Sequence, residues 1–338
     1  MPTPRPDLML MRLIGLVLFA TALLPESRVV EAQPSAPIPR LGYLVLAPLS
    51  EPPSPERAAF LDGLRELGLV DGKTIAIVYR SAKWNPELFD DLAEELVRMK
   101  VDVIVTAGGV AAPRAARKAS HTIPVVMAAI SDPLVPDLVA SLARPGGNVT
   151  GVSLMAPELG PKRLELLAEA APKASRLAVL WNPTFRDAAA ELRSMQAGAR
   201  ALGLTLRPVE VKNADDLARA FALLEKERPD ALTMLFDPLA SGYRQLVADF
   251  AKKHRLPSVF GAKEFTEAGG LISYSPNVAA GFRRAATYVD RILKGARPGD
   301  LPVEQPTKFE LVINVKTAST IGLTIPPALL LRADQVIE

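Results

Sequence analysis

No cysteine occurs in the chain of 338 residues. That excludes a disulfide framework, a thiol nucleophile and a thiolate zinc site together. It also excludes a bacterial lipid anchor, which needs a cysteine at the mature start. Histidine is nearly absent as well: only His121 and His254 are present. Both fall near helix ends just before strands, where a surface role beside the negative helix terminus suits them better than metal ligation. Aromatic residues make up 5% of the chain, and its net charge is only +3. No long block of like charge appears, so the sequence carries no nucleic-acid footprint. A G-x-S-x-G elbow, a Walker loop and an H-E-x-x-H helix are all missing. These absences weigh against an enzyme and call for no cofactor or metal.

Long apolar runs are also lacking. LIGLVLFATALL, residues 13 to 24, falls short of the ~20 residues that a membrane span needs. It follows Arg5 and Arg12 and leads to a small residue at Ala32, the pattern of a secretory signal. An uncleaved anchor helix is the alternative. The expectation is a signal peptide over residues 1–32, cleaved near Ala32, then an extended leader over 33–39 and a soluble periplasmic protein.

What remains is 49% apolar and strongly patterned. Short apolar runs at 41–47, 74–80, 101–107 and 123–130 read as strands. The run at 88–99 repeats Leu88, Leu92, Leu96 and Met99 at helical spacing, and another helix is expected from about Pro55. The alternation repeats with strands at 176–181, 204–211, 230–236 and 256–260. Helices are expected near 185–201, 214–227 and 240–254, with Asn213 as an N-cap. Two such blocks predict an α/β protein with two doubly wound, parallel-sheet lobes.

In open parallel sheets, ligands bind beyond the carboxyl ends of the strands, where helix N-termini present free N–H groups. The junctions there are Thr106-Ala107-Gly108-Gly109, Ser131-Asp132-Pro133, Trp181-Asn182-Pro183 and Phe236-Asp237-Pro238. Two glycines at a helix start fit a small anion, or a plain turn. Three strands end in Asp-Pro or Asn-Pro, which sets short polar groups around a common cleft, although each pair also caps a helix. Asp132 and Asp237 are a conceivable acid–base pair, but no spacing in the sequence brings them to working distance. The run RPGGNVTG at 144–151 offers three readings: phosphate cradle, glycosylation acceptor, or a turn ending a fourth helix and feeding a strand over 148–153. The last fits best, because the run does not lead into a helix.

Several longer segments carry a resemblance: SLARPGGNVTGVS, RLELLAEAAPKASRLAVLWNP, EAGGLISYSPN, AATYVDRILKGARPGDLPVEQPTKFELVINVKTA and GLTIPPALLLRADQVIE. In these the chain resembles the ABC transporter substrate-binding protein family that includes tryptophan- and tyrosine-type importers. The resemblance implies a type I periplasmic-binding fold with three hinge crossings, near Gly151, near Ser275 and over Pro302 to Pro306. It implies lobe I over 40–152 plus 275–305, and lobe II over 153–274 plus 306–338. It points to Thr106, Gly108, Gly109, Ser131 and Asp132 in lobe I, and to Asn182, Asp237 and Tyr274 around lobe II, as ligand contacts. It further implies a monomer that traps a small polar solute, such as an amino acid, and hands it to a membrane permease driven by an ATPase. A sensor that signals to a receptor, or an exported α/β enzyme, are the rival readings. The chain departs from the family at Gly109-Val110, around Asp237, and at Ser275, where the family commonly has Thr-Pro, Pro-Thr-Asp-Asn and glycine.

Overall fold

The computed structural model describes residues 38–131, 138–154, 156–235 and 237–338. Residues 1–37, on which the expected signal peptide falls, and Asp132 and Phe236 lie outside the described residues. The chain opens with β1 (Arg40–Val45), α1 (Pro55–Glu66), β2 (Ala76–Ser81), α2 (Phe89–Arg98) and β3 (Val103–Ala107). It continues through α3 (Ala111–Ala119), β4 (Val125–Ile130) and β5 (Val149–Ser153). Local chemistry sets the boundaries. Ser54 accepts from the Arg57 amide at the start of α1, with Pro55 in the first turn, where its missing N–H costs nothing. Asp90 and Asp91 open α2 and Arg98 closes it, matching the helix dipole.

The five strands form one parallel sheet in the order β2-β1-β3-β4-β5. Side chains alternate across it, so the sheet feeds two cores. Val103, Val105 and Ala107 pack with Phe60 and Leu64 of α1. Ile104 and Met127 pack on the other side with Phe89, Leu96 and Ala116 of α2 and α3. Both faces are covered, which explains why these strands read as continuous apolar runs.

The second half runs α4 (Ala156–Ala170), β6 (Arg176–Trp181), α5 (Arg186–Ala201), β7 (Thr205–Glu210), α6 (Ala214–Glu227), β8 (Ala231–Met234) and α7 (Pro238–Lys253). It ends with β9 (Val259–Phe260), α8 (Lys263–Glu267), β10 (Ile272–Pro276), α9 (Val278–Leu293), β11 (Phe309–Asn314), α10 (Val315–Ile321), α11 (Pro327–Leu330) and β12 (Gln335–Ile337). Asn213 caps α6 by accepting from the Asp216 amide at 2.9 Å. Strands β7-β6-β8 pair in parallel, and an isolated parallel bridge from Leu232 to Ser258 joins them to the β9-β10-β11-β12 group. Leucines of α4 and α5 cover one face of this second sheet. Leu217 and Leu224 of α6, with Val247 and Phe250 of α7, cover the other.

The chain passes between the two sheets three times: from β5 into α4, from β10 into α9, and from Leu301 toward β11. Helix α9 follows β10 in sequence, yet its Phe282, Ala286 and Val289 sit in the core of the first sheet. One strand departs from the parallel pattern. β11 pairs with β10 antiparallel, Ile272 opposite Ile313. The reason is topological: β10 leaves its sheet at the end that faces the first sheet. The chain returns at that same end, so β11 must run the other way.

A fourth helix before β5 is not found among described residues 138–148. Ser141 instead folds a local turn, its hydroxyl accepting from the Arg144 amide and donating to the Arg144 carbonyl, both at 3.1 Å. Ala140 N–H reaches Pro145 O, and Gly146 turns with φ +75°. A serine that satisfies its own backbone, followed by proline and two glycines, outweighs helical spacing. The sequon asparagine is not displayed to solvent. Asn148 is buried and its amide nitrogen donates to Ser120 O and Ile123 O, each at 2.8 Å.

Candidate functional site

The carboxyl ends of the two sheets carry the junctions singled out by sequence. β3 ends at Ala107, and the backbone then takes φ +118° at Gly108 and +79° at Gly109. A Cβ on Gly108 would lie 3.0 Å from Leu46 N and inside contact distance of Leu46 Cβ, so the turn lies flush against the segment leaving β1. Only glycine meets both demands. Val110 is the cap position of α3 and supplies no side-chain bond, which leaves amide groups at this helix start available. Thr106 is buried, and its hydroxyl has no hydrogen-bond partner among the described residues. Ser131, buried, stands at the neighbouring strand end directly after β4. Thr106, Gly108, Gly109 and Ser131 therefore share the edge formed by β3 and β4.

The junctions of the second sheet are more committed to local structure. The Asn182 side-chain oxygen Oδ1 accepts from the Thr184 amide at 3.0 Å and from its hydroxyl at 2.7 Å, fixing the turn after β6. Asp237, 1% exposed, caps α7 by accepting from the Ala240 amide at 2.7 Å. Tyr274 stacks on Phe309, ring centroids 5.7 Å apart, and its carbonyl accepts from Arg163 Nε at 2.9 Å. His254 Nε2 lies 3.2 Å from a Glu225 carboxylate oxygen, and its ring lies against the Phe250 ring.

The two edges meet at a point that no sequence motif marks. A Cβ placed on Gly109 would stand 3.0 and 3.1 Å from Cε2 and Cζ of Phe185, and 3.3 Å from Asp187 Oδ2. Phe185 precedes α5 and packs against core residues of both sheets. Asp187 lies in the first turn of α5 and is 8% exposed. One turn on, buried Glu191 pairs with buried Arg163, whose guanidinium lies under Gly261. Burial pushes the Glu191 carboxyl up, with Arg163 opposing and Asp187 adding to the rise. Acids in a first helical turn are commonplace, so nothing in the sequence distinguished Asp187 from the rest.

The crossings beside this edge are tied together. Gly151 takes φ +140° and pairs with Met127. Its O accepts from Glu304 N at 3.0 Å, and Ser153 N donates to Glu304 O at 2.8 Å, a parallel bridge between the first and third crossings. The Glu304 carboxylate takes two bonds from Arg284, at 2.7 and 2.6 Å. Tyr288 Oη donates to Pro302 O at 2.7 Å, and Thr150 Oγ1 to Leu301 O at 2.7 Å. Ser275, at the second crossing, is buried and paired with Glu310 in the β10–β11 ladder.

Comparison with known proteins agrees with this architecture. The family model described as ABC transporter substrate binding protein matches residues 45–337. A tyrosine-binding protein of Clostridioides difficile (strain R20291) is 26% identical over 280 residues, which is 82% of this chain and 80% of that protein. A conserved domain protein from Vibrio cholerae O1 biovar El Tor superposes with a TM-score of 0.80 at 28% identity, covering 88% of this chain and 99% of the other. A Streptococcus pneumoniae domain in complex with L-Trp also reaches 0.80, at 27% identity, over 89% of this chain and all of the other. With that match, two doubly wound sheets and three crossings between them, the chain belongs to the ABC transporter substrate-binding proteins and has the type I periplasmic-binding fold.

Proposed function

We propose that the exported chain captures a small polar solute, an amino acid or a close relative, between its two lobes in the periplasm. As a monomer it then presents the closed form to a membrane permease driven by an ATPase. The observation that carries this reading is the contact of Gly109 with Phe185 and Asp187, which joins the edges of the two sheets where helix starts converge. The relatives named for tyrosine and found with L-Trp favour an amino acid over a sugar. On this reading lobe I spans 40–152 plus 275–305, and lobe II 153–274 plus 306–338. Thr106, Gly108, Gly109, Ser131 and Asp132 present lobe I to the solute, while Asn182, Asp237 and Tyr274 shape the rim of lobe II. Gly151, Ser275 and Pro302 absorb the backbone change of closure.

Closure is favoured by solute because contacts from both lobes exist together only in the closed state. No bond is made or broken in the solute, so no general acid, nucleophile or cofactor is required. A thermal-shift screen of the purified chain against amino acids, sugars, nucleosides and small organic acids tests the reading. A solute at 100 times its dissociation constant adds about 2.7 kcal/mol, which for a unit of this size raises Tm by about 4 °C. A flat response across all four classes would contradict it.

A further inference from the structure

We propose that Asp187 is the residue through which the chain selects solutes carrying a protonated amine. The inference rests on the solute-binding reading and narrows it to a chemical class. Three observations lead there.

The first is position. Asp187 belongs to the second sheet's edge, yet its Oδ2 lies against Gly109 of the first. A group held there senses both lobes at once, which is where an interaction discriminates among solutes that drive closure. The second is charge. Asp187 is 8% exposed, and the neighbouring buried pair joins Glu191 to Arg163, with Arg163 Nε bound to Tyr274 O. The opposite charges of Glu191 and Arg163 offset one another, which leaves the sign of the field at this end of α5 to Asp187. The Gly109 turn on the facing side leads into α3, whose start has no side-chain cap. A carboxylate beside a helix amino end matches the ammonium and carboxylate of a free amino acid, which are separated by a single carbon. The third is the alternative. Asp237, the other buried acid at this edge, uses Oδ1 to cap α7. That bond lies within lobe II, whereas Asp187 stands against the Gly109 turn of the facing lobe.

The test is calorimetric titration of the purified chain with L-tyrosine, L-tryptophan and L-leucine, each beside its analogue lacking the amine. Wild type is expected to bind at least one amino acid about 100-fold more tightly than the matching deaminated acid, the scale of a lost partner in a buried charge pair. Asp187→Asn is expected to remove that preference while changing affinity for the deaminated acid less than about threefold. Asp187→Glu is expected to keep the preference, which a purely structural role would not produce. If Asp187→Asn is too unstable to titrate, Asp187→Ser serves in its place. A wild-type preference for the amine that survives Asp187→Asn or Asp187→Ser overturns this assignment and leaves the solute-binding reading standing. Wild type that binds only solutes without an amine does the same. Wild type that binds nothing in the broad screen overturns both.

Discussion

Replacing Gly151 with alanine adds one methyl group to the strand that carries the chain out of the first sheet. That methyl carbon would stand 2.5 Å from Met127 N, 2.9 Å from Met127 C and closer still to Met127 O. Backbone atoms of a central strand cannot turn aside as a side chain would, so β4 or β5 must shift. The residue also holds φ +140°, a conformation that costs an L-residue about 1–3 kcal/mol. Overpacking against fixed atoms adds about 1–3 kcal/mol more. Together these give about 2–6 kcal/mol, a large part of a typical total of about 5–15 kcal/mol. For one cooperative unit of this length the corresponding fall in Tm is about 3–10 °C. Gly147→Ala, four residues earlier, is the control: no atom lies within 4 Å of its added carbon. It is expected to be neutral or slightly stabilising. Thermal and urea unfolding of the two variants, followed by circular dichroism, decide the matter. A Gly151→Ala chain within 2 °C of wild type would refute the close approach of β4 and β5 at this crossing.

Two further predictions concern ion pairs. Arg163→Met leaves Glu191 buried beside Asp187, and should destabilise by about 3–5 kcal/mol. Adding Glu191→Leu should recover most of that loss in urea unfolding, whereas additive losses would show that the pair is not a unit. Arg284 holds the Glu304 carboxyl below the usual glutamate range, so the bond contributes stability above the ordinary value of 4.5 and loses it as pH falls below that. Both side chains are partly exposed, so Glu304→Gln should cost no more than about 1 kcal/mol at pH 7, with the two stability curves converging in acid. Curves that stay parallel down to pH 3 would contradict that assignment.

How much of this was legible in the sequence depended on whether the deciding interaction was local. Strands such as 176–181 and helices such as 214–227 appeared where periodicity and the Asn213 cap place them, because burial on both faces and capping leave direct marks. The direction of β11 left no mark, since it follows from the side on which the chain re-enters the second sheet. Over residues 138–144, the described part of the stretch where a helix before β5 is expected, a Ser141–Arg144 turn stands instead, and Leu142 and Gly146 beside it bond to Val303 and Gly299 far along the chain. At the candidate site the difficulty is chemical. Asp-Pro and Asn-Pro mark strand ends correctly, but the oxygens that suit a ligand also suit a helix cap or a turn, and Asp237 and Asn182 use theirs in that way. Asp187 was hidden for the opposite reason: its importance comes from Gly109, which is distant in sequence and adjacent in space.

The absence of cysteine gives the most direct test of closure around a solute, because two introduced thiols can be labelled without competition. Glu87, beyond β2, and Lys212, beyond β7, are exposed and follow the strands farthest from the three crossings in their sheets. Labels on Glu87→Cys and Lys212→Cys should therefore report lobe movement with the greatest leverage. Energy transfer between them is predicted to rise, saturably, with the amino acid that raises Tm, and to remain flat with its deaminated analogue. Saturating occupancy with no change in transfer would contradict the account.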